Sequence, residues 1–177
     1  MKLAQLLHVL RAASEISGEK SFVLVGSQAV LLALDYPSAQ LTMSDEIDLY
    51  PAASPEKADA IDGAIGALSR FHDEFGYHAD GVSPETAVMP ADWMERAKLH
   101  YFGDITAICP DLHDLCVSKS VAMREKDAEF VGALLQDGHI SIGTLLQRIG
   151  QLDASRYPVD AIVAWATRRA RENPGTA

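Results

Sequence analysis

Residues 44–51 read Ser44-Asp45-Glu46-Ile47-Asp48-Leu49-Tyr50-Pro51, and upstream of them stands Leu24-Val25-Gly26-Ser27-Gln28-Ala29. In an extended segment, side chains two residues apart share a face. Glu46 and Asp48 therefore emerge side by side, while Ile47 and Leu49 turn to the opposite, core-facing side. Two neighbouring carboxylates repel each other, and a divalent cation relieves that repulsion. Magnesium suits such a place, with few protein oxygens and phosphate oxygens completing the octahedron. The apolar run Phe22-Val23-Leu24-Val25 reads as a short buried strand. Gly26-Ser27 breaks it just before a short helix over 28–34, closed by Tyr36-Pro37. Backbone N–H groups at a helix start, together with a hydroxyl, suit a phosphate. The plainer reading of Glu46 and Asp48 is the solvated face of a half-buried strand. The Gly26-Ser27 bend upstream weighs against it.

The rest of the chain extends this pattern outward. Leu3, Leu6, Leu7 and Leu10 form one stripe of a helix over 1–14, with Gly18 as its stop. A second strand covers 47–50 and stops at Pro51. Ser54-Pro55 caps a helix whose apolar face is Ala58, Ile61, Ile65 and Leu68, running to Phe75 and ending at Gly76. A third strand spans 77–82. An irregular stretch with Pro84, Pro90 and Trp93 follows, and a strand over 105–108 ends at Pro110. Helices fill the remainder: one over 111–126, a continuation through Phe130, Leu134 and Leu135, one capped by Ser141, and one opened by Pro158. This order predicts an α/β (α+β) fold, a mixed β-sheet with flanking helices and a C-terminal helical extension. The expected division is a core over 1–109, a helical region over 110–172 packed on it, and a flexible tail over 173–177.

Composition narrows the function classes. The chain has 177 residues, 48% of them apolar, and a net charge of −10. A buried core is expected, and a broad basic footprint for duplex nucleic acid is not. Cys109 and Cys116 stand in no zinc-type array and read as small core residues of a reduced, cytoplasmic protein. No apolar stretch reaches the roughly 18 residues of a membrane span, and no leader peptide is evident.

The two quoted stretches resemble the polymerase-β-like nucleotidyltransferase superfamily. Its members carry a small apolar strand, Gly-Gly or Gly-Ser, a short helix, and then two acids spaced by one residue. Within it the chain is similar to the toxin–antitoxin-associated (AbiEii-like) branch and its small relatives. A second match lies in Ala107-Ile108-Cys109-Pro110-Asp111-Leu112 followed by Lys119-Ser120-Val121-Ala122-Met123-Arg124-Glu125-Lys126-Asp127. The matches occur in the family's order and span about 22–127.

The resemblance implies an enzyme that moves a nucleoside monophosphate from a nucleoside triphosphate (NTP) to a hydroxyl. Glu46 and Asp48 correspond to the metal pair for Mg²⁺ or Mn²⁺, although Asp is commoner at the first position. Asp45 points to the face opposite Asp48 in a regular strand. A third acid is expected from a later strand: Asp80, with Asp104 as its rival. Gly26 and Ser27 correspond to the phosphate-touching bend. Lys119 and Lys126 stand seven residues apart, about two helical turns, and so share a face that can meet phosphates. Asp127 orients Lys126 or binds a metal or a base. The plainer reading of these lysines is a solvated helix surface, and of 124–127 a charged turn.

The implied acceptor is an RNA (tRNA) or protein hydroxyl, and the implied partner a cognate toxin or antitoxin. The alternative is an inactive, antitoxin-like module that keeps the fold and binds a nucleotide or a protein. A third reading, a helical scaffold within a dimer, requires Glu46 or Asp48 to be buried. The histidines, His72, His78, His100 and His113 among them, read as structural or surface residues. Residues 90–96 read as a packed loop around Trp93, and Arg168, Arg169 and Arg171 as cations at a helix end.

Overall fold

The protein is described by a computed structural model over residues 1–174. It divides into an α/β unit, residues 1–86 and 97–110, and a helical unit made of 87–96 and the chain from 111 onward. The expected division after Cys109 thus differs in one segment. Residues 87–96 belong with the helices because Arg96 is tied to Asp92 and to Asp114, whose side chain is fully buried.

The α/β unit is built on five strands: β1 (Ser21–Leu24), β2 (Glu46–Pro51), β3 (His78–Gly81), β4 (Lys98–Phe102) and β5 (Ile105–Cys109). They form one mixed sheet in the order β3-β2-β1-β5-β4. β1 runs antiparallel to β2 and parallel to β5, and β2 runs parallel to β3. Phe22, Val23 and Leu24 are all buried, as a wholly apolar central strand requires. Helices α1 (Leu3–Ser17) and α3 (Ala58–Ile65) pack on each other and reach the sheet. They bury Leu6, Val9, Leu10 and Ala13 from one and Ala58, Ile61 and Ile65 from the other. The helix over 28–34 is a 3₁₀ turn, Ser27–Ala29, continued by α2 (Val30–Ala33).

Two expectations fail here. The helix predicted from Ser54 to Phe75 is interrupted. α3 stops at Gly66, Leu68 adopts a left-handed φ of 63° and is 89% exposed, and α4 (Arg70–Phe75) starts afresh. Ser69 causes the restart: its hydroxyl caps α4 by accepting from His72 N at 3.1 Å, a bond that a continuous helix would forgo. The second failure is β4, which lies in the stretch expected to be irregular. Lys98, Leu99 and Tyr101 are exposed, so this edge strand lacks the apolar alternation that marks a buried one, and its lysine guards the open edge.

The helical unit contains α5 (Trp93–Arg96), α6 (Leu112–Ala122), α7 (Glu125–Gln136), α8 (Ile142–Ile149) and α9 (Val159–Glu172). Leu115, Cys116, Val131, Leu134, Leu145, Ile149 and Ile162 form its core. α6 ends where Met123 turns left-handed and donates its N–H to Lys119 O. Lys119 and Lys126 therefore sit on different helices, and the shared face expected for them does not exist. Asn173, expected in the frayed tail, is anchored through two bonds to Arg169 O. The rest of that tail, 175–177, lies outside the described residues. Among the described residues no helix is long and apolar enough to cross a membrane.

Candidate active site

β2 turns Glu46 and Asp48 to one side of the sheet, while Ile47 and Leu49 are buried on the other. Both acids are only partly covered, so neither is buried as a scaffold reading requires. The parallel pairing of β2 with β3 sets His78 beside Glu46 and Asp80 beside Asp48. Two acid-bearing strands in register thus place Glu46, Asp48, His78 and Asp80 on neighbouring positions of one face. A ligand atom from each of Glu46, His78 and Asp80 lies within 4.8 Å of the other two.

Gly26 stands against this group. It is buried and extended, with φ −86° and ψ 179°. A Cβ built on it would lie 1.9 Å from Asp48 Oδ2 and 2.8 Å from its Cγ. The space a side chain would need is filled by the Asp48 carboxyl, so the acid lies directly against the bend. Their backbones are also joined: Val25 N donates to Asp48 O at 3.0 Å. Ser27 follows at the start of the 3₁₀ turn, half-buried.

Asp104, the rival third acid, sits in the turn between β4 and β5, exposed and 2.9 Å from Lys20 Nζ. Asp80 is the acid that the sheet puts beside Asp48.

His78 is the residue the sequence reading missed. Its side chain is 8% exposed, and Nε2 lies 3.2 Å from Asp80 Oδ1. Its Nδ1 is buried without a hydrogen-bond partner. Such an unmatched group costs about 1–3 kcal/mol unless a ligand completes it. The signal was available: His78-Ala79-Asp80 repeats the two-residue spacing of Glu46-Ile47-Asp48. His72 lies next to it, with ring centroids 4.4 Å apart and Nε2 3.8 Å from Asp45 Oδ2. Its Nδ1 accepts from Leu68 N at 3.2 Å.

The remaining expected residues belong to the helical unit. Lys119 is nearly buried, with Nζ 3.5 Å from Asp127 Oδ1 and 5.8 Å from the Phe130 ring centroid. Asp127 is buried and also accepts from Arg124 Nε at 2.7 Å and Arg124 NH2 at 3.1 Å. The charged turn expected at 124–127 is therefore an ion-paired helix start, and Asp127 pairs with Lys119 and Arg124. Burial alone would raise the Asp127 pKa. The Arg124 hydrogen bonds and the charge of Lys119 outweigh it and hold the carboxyl below its ordinary range. Lys126 is exposed on α7.

An apolar strand breaking at Gly-Ser, followed by an acidic strand paired with a second acid-bearing strand, defines a nucleotidyltransferase-like α+β fold. Residues 2–169 match the family described as nucleotidyltransferase of unknown function (DUF6036), and the chain belongs to that family. No curated protein and no solved structure matches it.

Proposed function

We propose that this chain is a divalent-metal-dependent nucleotidyltransferase that moves a nucleoside monophosphate from an NTP to a hydroxyl of an RNA, such as a tRNA, or of a protein. The observation that carries the reading is the in-register pairing of Glu46 and Asp48 with His78 and Asp80, against a glycine whose missing side chain admits the Asp48 carboxyl. The acceptor oxygen attacks the α-phosphorus, the bond to the bridging oxygen of the β-phosphate breaks, and pyrophosphate leaves.

The donor set fits a divalent cation: carboxylate oxygens suit Mg²⁺ and Mn²⁺, and Glu46, Asp48 and Asp80 supply them. Once bound, the metal would neutralise triphosphate charge and ease loss of the acceptor's proton. The chain's own residues do the rest. Gly26 fixes the Asp48 carboxyl, and Gly26 with Ser27 borders the phosphates. Asp80 takes up the proton of the acceptor hydroxyl. By the resemblance, Lys119, Lys126 and Asp127 are the helical unit's candidates for nucleotide contact, and Lys119 is held by its ion pair with Asp127. The resemblance to AbiEii-like proteins supports a role in a toxin–antitoxin or phage-defence pair and a cytoplasmic setting.

The test is transfer of label from α-³²P nucleoside triphosphates to total RNA and total protein, with Mg²⁺ or Mn²⁺, by the native chain and by Asp48→Ala. Labelled product from the native chain alone supports the reading. Nucleotide binding without product or pyrophosphate from any acceptor pool overturns it in favour of the inactive binding module.

A further inference from the structure

The cluster on β2 and β3 contains an imidazole where the transferase reading needs only carboxylates. We infer that Glu46, His78 and Asp80 form a site for a borderline-soft divalent cation of the Zn²⁺ or Co²⁺ kind, with His78 as a direct ligand. This deepens the transferase reading and rests on it for the purpose of the site. It concerns which metal the chain selects.

Three observations converge on it. First, the three ligand atoms lie within 4.8 Å of one another. All three come from paired strands rather than loops, so a cation is held by the stiffest part of the unit. Second, Asp80 Oδ1 and His78 Nε2 are 3.2 Å apart. Adjacent ligands each about 2.1 Å from a metal sit roughly 3.0–3.4 Å apart in octahedral or tetrahedral geometry. Third, His78 is buried with Nε2 turned to Asp80 rather than to solvent. Imidazole nitrogen favours zinc and its transition-metal neighbours, whereas magnesium favours oxygen alone.

A neighbouring triad, Asp45, His72 and His78, has comparable spacing but a weaker donor set. His72 Nδ1 already accepts a hydrogen bond from Leu68 N. A neutral imidazole has one lone pair to give, so His72 Nε2 carries the proton and cannot ligate while that bond stands.

The test uses the whole chain, stripped by a chelator and free of nucleotide, titrated calorimetrically with Zn²⁺, Co²⁺ and Mg²⁺. One Zn²⁺ per chain is expected to bind at least tenfold tighter than Mg²⁺, and bound Co²⁺ to show ligand-field absorption. His78→Asn, Glu46→Gln and Asp80→Asn each lower Zn²⁺ affinity at least tenfold, while His72→Asn leaves it unchanged. Because His78 is buried and its variant can misfold, ¹⁵N imidazole spectra of the native chain are recorded with and without Zn²⁺. A large shift of one His78 ring nitrogen is expected. Unmoved His78 nitrogens overturn the inference. So do Zn²⁺ affinity no tighter than Mg²⁺, or loss of binding in His72→Asn with Glu46→Gln unaffected. Zn²⁺ binding without transfer leaves this site standing and sinks the transferase; Mg²⁺-driven transfer with no zinc preference does the reverse.

Discussion

The buried acids of the helical unit and the acids of the candidate site are set in different surroundings. In the helical unit, opposite charges alternate. Asp114, fully buried, receives Arg96 through Nε at 2.8 Å and NH2 at 3.0 Å, and Arg148 at 3.0 Å. Asp111 caps α6 by accepting from His113 N and is paired with Arg148. Asp127 is matched by Arg124 and Lys119. At the candidate site of the α/β unit, Glu46, Asp48 and Asp80 occupy adjacent positions on two strands, with the His78 imidazole 3.2 Å from Asp80. Alternation stabilises a fold, whereas convergence of like charges strains it and suits a ligand of opposite charge. The same residue types thus hold structure together in one unit and are proposed to carry chemistry in the other.

Substitutions that exchange these roles sharpen the contrast. The largest effect is expected from Asp48→Ala, which lowers nucleotidyl transfer about a thousandfold or more. Its unfolding free energy shifts by less than about 1 kcal/mol, or rises, because a site carboxylate costs the fold more than it supports it. Parallel denaturation and label-transfer curves check both halves. Arg96→Ala should do the converse. It strips a bidentate partner from buried Asp114 and destabilises the helical unit by about 3 kcal/mol. Arg148 limits the damage to that range by keeping one bond to Asp114. Both tryptophans, Trp93 and Trp165, lie in the helical unit, so their fluorescence reports its unfolding directly. A destabilised Asp48→Ala or an indifferent Arg96→Ala would erase the distinction.

Next in size is Gly26→Ala. The added methyl must displace the Asp48 carboxyl, since 1.9 Å to Oδ2 is far inside contact distance. A misplacement of about 1 Å at a reacting centre costs up to about a hundredfold. Transfer is expected to fall about 10- to 100-fold, with nucleotide binding less affected. Retained activity would show that the bend and the acid do not act together.

The half-buried and buried acids of the helical unit also set its acid sensitivity. Burial alone would raise the Asp111 pKa. Hydrogen bonds from the His113 side chain and backbone, and the Arg148 guanidinium, overcome this and hold it well below 3.8. Asp127 is depressed for a like reason. A carboxyl lowered on folding contributes stability that is complete above its ordinary value. That contribution fades as pH falls below about 4 toward the depressed folded value. Tryptophan fluorescence melts between pH 5 and about 2 should show the helical unit losing its stability in that window. Asp111→Asn should flatten the dependence.

How far the sequence could reach follows from the range of each signal. Period-two alternation in 46–49 and the apolar run 22–25 are local, so β1, β2 and the shared face of Glu46 and Asp48 were legible. The pairing of β2 with β3 is not local. That His78 meets Glu46 depends on the register of β2 against β3, and no spacing within one strand states it. The break at Gly66–Ser69 hid behind a stripe, Ile61, Ile65 and Leu68, that a continuous helix would also present. The separation of Lys119 and Lys126 onto two helices is hidden in the sequence, because the left-handed turn at Met123 has no glycine to announce it.

The smallest expected effect is Asp104→Asn, and it tests the choice between the two later acids. Asp104 and Lys20 form a surface pair with side chains 74% and 56% exposed. The Lys20 hydrogen bond lowers the Asp104 pKa, yet water screens such a pair and it adds little to stability. Its position also argues against a role: it lies in the β4–β5 turn, and β1 separates that hairpin from β2 in the sheet order. Transfer activity and midpoint of unfolding should both stay at native values in Asp104→Asn, while Asp80→Asn abolishes transfer. A reversed result would detach the third acid from β3. The pairing of two acid-bearing strands, on which the contrast between the units rests, would then lose its chemical meaning.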